Sequence, residues 1–334
     1  MSIPEAKRPA IDRGLTAAFG TTALDSVRPL TGGLSGAAIY KIRVGGIAYL
    51  LRVEGSRDAF RDPDRWYGCM RTAAAAYLAP RIRYADAADG VAIMDFIEEQ
   101  SLSLDYLGTR DDLIVEAAQT IRALHDAPAF PPLVDYMDGM DGLIAAFLAG
   151  GLIAPAALEE LWARYALLRA GYRTADGDRV SSHNDLNPRN ILYDGARLWL
   201  VDWESSFLAD RYVDLATLAN VFAHTPEEEA LLARTYFGET PDAERQARLF
   251  LMRQINHVFY GVIMLSGVAA ERPDLRETSL EAPRLAEIHE ALGTGDFALE
   301  PWRGRLAYGK ARLNAALEGL RSGRFTEALA LVAA

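Results

Sequence analysis

The segment that most constrains the fold of this chain covers residues 181–206 and reads SSHNDLNPRNILYDGARLWLVDWESS. Two short apolar segments flank a D-G dipeptide within it, a sequence typical of a β-hairpin. A hairpin returns the chain to its starting point, so we predict that Asn190 and Asp202 lie at the same end of the ribbon. Asp185 lies in the loop just before the hairpin. The sequence therefore predicts that two carboxylates and a carboxamide meet at one place.

Oxygen ligands of this kind suit Mg²⁺, which usually takes one or two carboxylates and completes its shell with phosphate oxygens. We predict that Asn190 and Asp202 hold the metal, which leaves Asp185 to accept a proton from a hydroxyl group. The alternative is that Asp185 and Asn190 only cap turns and that Asp202 only ends a strand. These residues alone leave both interpretations open, and the paired motifs described next favour the metal site.

The same segment resembles two motifs of the kinases. H-N-D-L-N-P-R-N has the spacing of the kinase catalytic loop, H-x-D-L-x-x-x-N, and D-W-E stands where protein kinases carry D-F-G. The variants N-P-x-N-I-L and V-D-W-E are similar to those of the aminoglycoside phosphotransferase and choline kinase superfamily. They are closest to bacterial choline and ethanolamine kinase-like phosphotransferases. The resemblance covers most of the chain, from a glycine loop near Thr31 to a helix near Leu265.

The resemblance implies an α+β, two-lobed protein-kinase-like fold. Residues 1–97 are the expected β-rich nucleotide-binding lobe, and residues 98–334 are the expected helical catalytic and substrate lobe. The patterning agrees, because short apolar strands separated by glycine turns dominate before residue 97 and amphipathic helices dominate after residue 100. The implied reaction transfers the γ-phosphoryl group of ATP, with Mg²⁺, to an alcohol. Asp185 is the implied catalytic base, and His183 is expected to hold the catalytic loop in place.

The nucleotide site is predicted from three segments. The loop P-L-T-G-G-L-S-G-A offers glycines for a close approach of the backbone to phosphates, and V-A-I-M-D-F-I resembles the hinge that recognises adenine. The strand Y-L-L-R-V carries an arginine where protein kinases carry the phosphate-pairing lysine, with Lys41 as the reserve candidate. The predicted nucleotide contacts are Gly32, Gly33, Ser35, Gly36, Arg52, the Asp95 carbonyl and the Ile97 amide.

One departure from the kinase pattern concerns the partner of Arg52. The helix RWYGCMRTAAAAYLAP contains no acidic residue, although kinases normally orient the phosphate-pairing cation with a glutamate on this helix. Asp62 and Asp64 lie just before the helix, and one alternative is that they reach Arg52. The other is that Arg52 has no such partner. That second possibility motivates a competing hypothesis, a nucleotide-binding pseudokinase module.

The acceptor is predicted from the segment LFLMRQINHVFYGVIML, which resembles the helix where choline kinases place aromatic residues. Aromatic faces attract quaternary ammonium groups, although an aromatic stripe on an apolar helix is more often part of a core. Choline, ethanolamine or a similar amino alcohol is the favoured acceptor, and the alternatives are an aminoglycoside, thiamine, a sugar or a homoserine-like alcohol. The candidate acceptor residues are Glu204, Asn220, Phe259 and Tyr260.

Composition excludes other classes of function. The net charge of −11 argues against nucleic-acid binding, which depends on clustered basic residues. Glycines or a proline interrupt the longest apolar stretches, which fall short of the roughly 20 residues that span a bilayer, so no membrane insertion is expected. Cys69 has no second cysteine to pair with, and residues 1–10 lack the apolar core of a secretory signal. We therefore expect a cytoplasmic monomer or homodimer.

Overall fold

The structure is a computed structural model, and it describes residues 3–30, 36–55, 57, 62–100, 102 and 105–333. The strands are β1 (Ser26–Leu30), β2 (Ala38–Val44), β3 (Ile47–Val53), β4 (Ile82–Asp86), β5 (Val91–Asp95), β6 (Arg179–Ser182), β7 (Ile191–Tyr193), β8 (Leu198–Leu200) and β9 (Phe207–Asp210). The helices are α1 (Arg8–Phe19), α2 (Pro63–Ala75), α3 (Arg110–His125), α4 (Tyr136–Gly150), α5 (Pro155–Gly171), α6 (Arg211–Phe222), α7 (Pro226–Phe237), α8 (Ala243–Glu271), α9 (Leu285–Thr294), α10 (Trp302–Arg321) and α11 (Gly323–Val332).

The chain divides into two compact units. The first comprises residues 1–133 and 180–208, and the second comprises residues 134–179 and 209–334. The predicted lobe boundary between residues 97 and 98 stays a prediction, and it falls inside the first unit. Across the described ranges, no helix is both long and apolar enough to cross a membrane.

The first unit contains a five-stranded antiparallel sheet in the order β1-β2-β3-β5-β4, which confirms the predicted β-rich character of the chain before residue 97. Successive side chains of a strand point to opposite faces of the sheet. On β3, Leu51 and Val53 therefore share one face, which is buried in an apolar core. Arg52 lies between them and points to the other face, as does Lys41, which is paired with Leu50 on the neighbouring strand. The alternation thus places the candidate phosphate-pairing cation opposite the core.

Helix α1 covers the core face of this sheet, and the sequence analysis did not predict it. Ile11 and Leu15 lie one turn apart on its buried stripe, and both are fully buried against β2, β3 and β5. The helix also lies close to β4, because a Cβ at Gly14 would lie 2.9 Å from Tyr84 Cδ1. The helix ends at Gly20, whose φ of 72° is the left-handed conformation that glycine adopts without strain.

The predicted hairpin of strands β7 and β8 is confirmed. Ile191 is paired with Leu200, and the Val201 amide donates to the Asn190 carbonyl at 3.0 Å. Asn190 therefore lies beside the residue that precedes Asp202, at the open end of the ribbon. Helix α3 holds the other strand of the hairpin, because Glu116 accepts a hydrogen bond from the Leu198 amide at 2.8 Å.

The second unit is helical, and its central pair is α8 and α10. Glycines allow the two helices to approach closely: a Cβ at Gly261 would lie 2.7 Å from Leu313 Cδ2, and a Cβ at Gly309 would lie 2.7 Å from Leu265 Cγ. The close approach brings the middle of α8, with the predicted acceptor residue Tyr260, against the middle of α10.

We expect Ile11→Ala to destabilise the first unit by about 2–5 kcal/mol, because it opens a cavity between α1 and the sheet. Ile47→Ala is the matched control, since Ile47 is 60% exposed at the start of β3. Unfolding in urea, followed by circular dichroism, measures both variants. Equal effects of the two substitutions would show that α1 does not form the core of this sheet.

Candidate active site

Arg52 is the centre of the candidate site. It is 5% exposed, and its guanidinium faces three carboxylates. Nε donates to Glu54 at 2.8 Å, Nη1 donates to Asp202 at 3.2 Å, and Nη2 forms an ion pair with Glu204. Burial disfavours the charged guanidinium, but attraction by Asp202 and Glu54 outweighs burial and raises the pKa of Arg52 above its ordinary value. Arg52 is therefore a permanently charged group that joins β3 to the segment after the hairpin.

Helix α2 supports this cluster without supplying a carboxylate. The Trp66 ring lies 4.8 Å from the Arg52 guanidinium, and the Tyr67 hydroxyl donates to Glu54 at 3.4 Å. Burial, followed by the charge of Glu54, raises the pKa of Tyr67, so its hydroxyl keeps the proton that it donates. Arg65 extends from the same helix and donates to the Glu204 carbonyl at 2.6 Å. An aromatic ring, a hydroxyl and a guanidinium therefore stand where kinases use a helix glutamate.

The predicted alternative, in which Asp62 or Asp64 reaches Arg52, is wrong. Asp62 caps α2 by accepting a hydrogen bond from the Asp64 amide at 3.1 Å, and Asp64 pairs with Arg57 at 3.8 Å. Arg52 instead pairs with Glu54, which follows two residues later, just beyond the end of β3. The sequence carried a signal for this pair, because residues two apart on a strand share a face.

Lys41, the reserve candidate for the phosphate-pairing cation, is engaged elsewhere on the same face of the sheet. Its Nζ lies 2.5 Å from Glu98 and 4.0 Å from the centre of the Phe96 ring. Both of these residues follow β5, so Lys41 ties the end of β5 to β2. This geometry favours Arg52 over Lys41.

The catalytic loop is fixed to the base of the hairpin by its own polar groups. The buried His183 donates from Nε2 to the Val201 carbonyl at 2.9 Å, and its ring lies 4.7 Å from the Trp203 ring. Asn184 has a left-handed φ of 65° and donates from Nδ2 to the Ser205 carbonyl at 2.9 Å. These contacts agree with the predicted structural role of His183. They also fix the position of the backbone just before Asp185.

Asp185 and Asn190 are joined directly. Asn190 Nδ2 lies 2.8 Å from the Asp185 carbonyl and 3.2 Å from its Oδ2, and Asn187 Nδ2 donates to Asp185 Oδ1 at 3.1 Å. The amide nitrogen of Asn190 is therefore committed to the catalytic loop. Its Oδ1 accepts no hydrogen bond from a described residue, so this oxygen remains for a metal ion.

Asp202 has a strained backbone, with a φ of 66°. Left-handed values are uncommon for residues other than glycine, and Asn and Asp tolerate them best. The conformation directs the carboxylate toward Arg52 just before the short 3₁₀ helix of Trp203–Ser205. One carboxylate oxygen accepts from Arg52, and the other has no partner among the described residues.

The donor set suits Mg²⁺. Asp202 and Asn190 each offer an oxygen atom that is not used by a described residue, and phosphate oxygens usually complete such a site. Within the described ranges, no group of three or more His, Cys, Asp or Glu side chains is placed to hold a metal. The formal charge of Arg52 with its three carboxylates is −2, which favours a divalent cation.

Only some of the predicted nucleotide contacts lie within the residues that the structure describes. Gly32, Gly33 and Ser35 lie outside the described residues. Gly36 is described, and its carbonyl oxygen would lie 2.5 Å from a Cβ at Gly55, so the backbones beside β2 and β3 approach closely.

The predicted hinge is held in place by several contacts. Asp95 ends β5 and pairs through its carboxylate with Arg83 at 2.6 Å, and Ile97 follows two residues later. The Gln100 amide then donates to the Tyr193 carbonyl at 2.7 Å. These contacts fix both ends of the segment that the resemblance assigns to adenine recognition.

The four candidate acceptor residues do not form one group. Glu204 belongs to the Arg52 cluster of the first unit, which comprises Arg52, Glu54, Asp202 and Glu204. The other three candidates belong to the second unit: Asn220, Phe259 and Tyr260. Asn220 is buried, and its amide is engaged with Asn256 at 2.9 Å and with Arg253 at 2.8 Å and 3.2 Å.

The two aromatic candidates on α8 lie next to each other. Phe259 is half-buried, and its ring centre lies 5.1 Å from that of Tyr260. Tyr260 is 7% exposed, and the protein's own Arg312 lies 5.2 Å from its ring centre. The aromatic surface predicted for a cationic acceptor is therefore already in contact with a cation.

We expect Arg52→Met to lower the free energy of unfolding of the first unit by about 3–5 kcal/mol, because it leaves the half-buried Glu54 and Glu204 without their cation. Lys41→Met is the matched control on the same face of the sheet, and its exposed ion pair is worth about 0–1 kcal/mol. Urea unfolding of both variants checks the difference. Equal losses would contradict the central position of Arg52.

Comparison with known families agrees with this geometry. The model of the phosphotransferase enzyme family matches residues 26–250, which include the sheet, the catalytic loop and the hairpin. Among curated proteins, the chain is similar to protein LicA of Haemophilus influenzae, with 44% identity over 59 residues. That match covers 17% of this chain and 22% of LicA.

Solved structures are similar over nearly the whole length. A choline/ethanolamine kinase family protein from Mesorhizobium loti has a TM-score of 0.71 at 20% identity and covers 98% of this chain and 99% of its own. The streptomycin–ATP–APH(2'')-IIa ternary complex has a TM-score of 0.57 at 16% identity and covers 80% of this chain and 92% of its own. The predicted two-lobed kinase-like fold and the predicted enzyme class are confirmed. The chain belongs to the phosphotransferase enzyme family.

Proposed function

We propose that this chain is a kinase that uses ATP and Mg²⁺ to phosphorylate the hydroxyl group of a small amino alcohol, with choline and ethanolamine as the first acceptors to test. The observation that carries the proposal is the pairing of Arg52 with Asp202 beside the joined pair of Asp185 and Asn190. A phosphate-pairing cation, two metal-binding oxygens and a candidate base thus belong to one compact unit.

Phosphoryl transfer depends mainly on positioning and on the stabilisation of charge. In this proposal, Asp202 and Asn190 hold Mg²⁺, which when bound neutralises the charge of the phosphates. Arg52 has a fork of N–H donors that matches phosphate oxygens. Glu54 and Tyr67 keep Arg52 in position from the side of β3 and α2.

Asp185 is the proposed proton acceptor. Its carboxylate receives hydrogen bonds from Asn187 and Asn190 at 3.1 Å and 3.2 Å, which limits its rotation. A general base must lie within hydrogen-bond reach of the proton that it accepts, and a suitable pKa is the second requirement. We propose that the two asparagines hold Asp185 toward the acceptor hydroxyl, while His183 and Asn184 hold the loop itself.

The glycine loop, with Gly32, Gly33, Ser35 and Gly36, is proposed to contact the phosphates. The Asp95 carbonyl and the Ile97 amide are proposed to recognise adenine. The support for the hinge is its anchoring at Asp95 and at Gln100. The support for ATP as the donor is the kinase-like motif set.

The acceptor rests on two kinds of support. Similar structures include choline and ethanolamine kinases, and α8 carries adjacent aromatic residues at Phe259 and Tyr260. Aminoglycosides, thiamine and sugars remain the alternatives, because similar structures include aminoglycoside phosphotransferases.

The competing hypothesis is a pseudokinase, and its motivation is the absence of an acidic residue from the segment RWYGCMRTAAAAYLAP. Glu54 supplies the carboxylate that this hypothesis assumed to be missing. Asp185, Asn190 and Asp202 are all present, so an active enzyme is the function we propose.

We expect Asp185→Asn to lower kcat by about 10²–10⁴-fold, because it removes the proton acceptor and keeps the shape of the side chain. Mg-ATP binding is expected to change little, since Asp185 is not a proposed metal ligand. Phosphotransfer from radiolabelled ATP is measured against a panel of amino alcohols, sugars and aminoglycosides, and binding is measured by calorimetry.

Asp111→Asn, on the exposed first turn of α3, is the matched control and is expected to have wild-type activity. Equal turnover by wild type and Asp185→Asn would contradict the role of Asp185. Wild-type binding of Mg-ATP with no turnover across the panel would favour the pseudokinase.

A further inference from the structure

Residues 202–206, which read DWESS, form the segment that carries the proposed metal ligand Asp202. Asp202 has a left-handed φ of 66°, and the short 3₁₀ helix of Trp203–Ser205 follows it. Such a conformation persists only where the surrounding structure determines it. The contacts that hold this segment therefore also determine where the Asp202 carboxylate lies.

Three successive carbonyl groups of the 202–206 segment accept hydrogen bonds from side chains of other elements. The Ser205 carbonyl accepts from Asn184 at 2.9 Å. The carbonyls on either side of it accept from one residue of α2, Arg65. Its Nη2 donates to the Glu204 carbonyl at 2.6 Å, and its Nη1 donates to the Ser206 carbonyl. A single guanidinium thus ties α2 to the segment at two points, and both elements belong to the first unit.

Cys69 lies beside the same contact, one turn after Arg65 on α2. Its side chain is fully buried, and its Sγ lies 3.6 Å from the Ser206 carbonyl oxygen. Burial raises the pKa of Cys69 to about 11, so the thiol keeps its proton at neutral pH. The thiolate is the form that reacts. Reaction of Cys69 with a thiol reagent therefore requires opening of the packing between α2 and the segment. Because the chain has one cysteine, labelling reports on this place alone.

We propose that Arg65 is a positioning residue that ties α2 to the 202–206 segment and thereby holds Asp202 where it binds Mg²⁺. This inference rests on the proposed function, because Asp202 is assigned to the metal there. A guanidinium suits the task, since its N–H donors form a rigid fork that reaches two carbonyls at once. Helix α2 thus acts on the backbone of the metal-binding segment, whereas the helix glutamate of kinases acts on the phosphate-pairing cation.

We expect Arg65→Met to weaken Mg-ATP binding by about 10- to 100-fold, the range expected for hydrogen bonds to a charged group. ATP affinity in a chelator is expected to stay unchanged, because the variant acts through the metal. Arg65→Lys keeps the charge without the fork, and we expect a smaller loss. Arg71→Met is the matched control, since Arg71 is exposed on the same helix and donates to the Ala85 carbonyl on β4. Calorimetric titration with ATP, in Mg²⁺ and in a chelator, measures all four proteins.

Labelling of Cys69 by an aromatic disulfide reagent gives a second readout, which works without nucleotide. We expect Arg65→Met to be labelled faster than Arg71→Met, because α2 separates more readily from the segment. Coupling between two binding events is reciprocal. Mg-ATP is therefore expected to slow the labelling of wild type more than that of Arg65→Met. Equal labelling rates of the two variants would overturn the inference.

The outcomes separate this inference from the proposed function. If Mg²⁺ strengthens ATP binding equally in wild type and in Arg65→Met, the inference is overturned and the metal site stands. If ATP affinity in the chelator falls as much as Mg-ATP affinity, Arg65 has only a structural role, and the inference is again overturned. If Mg²⁺ has no effect on wild type, the proposed metal site fails. Labelling without nucleotide then decides the link between α2 and the segment: faster labelling of Arg65→Met supports it, and equal rates overturn it. If Arg65→Met does not fold, Arg65→Lys takes its place, and a wild-type Mg-ATP affinity of that variant would overturn the inference.

Discussion

The ion pairs of Arg52 are the interaction on which the candidate active site depends. A guanidinium that is almost fully buried must be compensated, and here the compensation comes from its own strand and from the segment after the hairpin. The strand fixes one end of the cluster, and the loop that carries Asp202 fixes the other. Because three carboxylates surround one cation, the cluster has an excess of negative charge. This excess of negative charge supports the proposed site for a divalent metal.

Backbone strain near the same place has a related consequence. Asn184 and Asp202 both adopt left-handed φ values. Asn184 directly precedes the proposed base, Asp185, and Asp202 is itself a proposed metal ligand. Such conformations are sparsely populated and persist only where the surroundings determine them. The hydrogen bonds of Asn184 to Ser205 and of His183 to Val201 supply that determination. These hydrogen bonds therefore fix the predicted catalytic loop directly to the segment that is proposed to bind the metal.

Local patterns predicted the parts of the fold that depend on local sequence. Short apolar segments and turn residues predicted the β-rich first part of the chain and the hairpin, and the hairpin predicted that Asn190 and Asp202 share one end of it. Strand alternation also indicates that Glu54 shares a face with Arg52. The kinase pattern instead places the partner of Arg52 on α2. Helix α1 was missed although Gly20 marks its end, because only a narrow apolar stripe distinguishes it.

Local sequence patterns did not predict the contacts between segments that lie far apart in the chain. Asn220 was a candidate acceptor residue on the basis of its position alone, whereas its hydrogen-bond partners come from α8. Arg312 lies far from Tyr260 in the chain, so nothing in the local pattern of α8 indicated that a cation covers its aromatic surface. Such pairs depend on how helices pack, and packing is determined by the whole core.

The central claim is that the Arg52 cluster with Asp202 and Asn190 forms the Mg-ATP site. Calorimetric titration of wild type and Asp202→Asn with ATP, in Mg²⁺ and in a chelator, tests it most directly, because asparagine tolerates the left-handed backbone of this position. We predict that Mg²⁺ strengthens ATP binding to wild type and that Asp202→Asn removes this strengthening while the protein remains folded. An equal effect of Mg²⁺ on both proteins would contradict it.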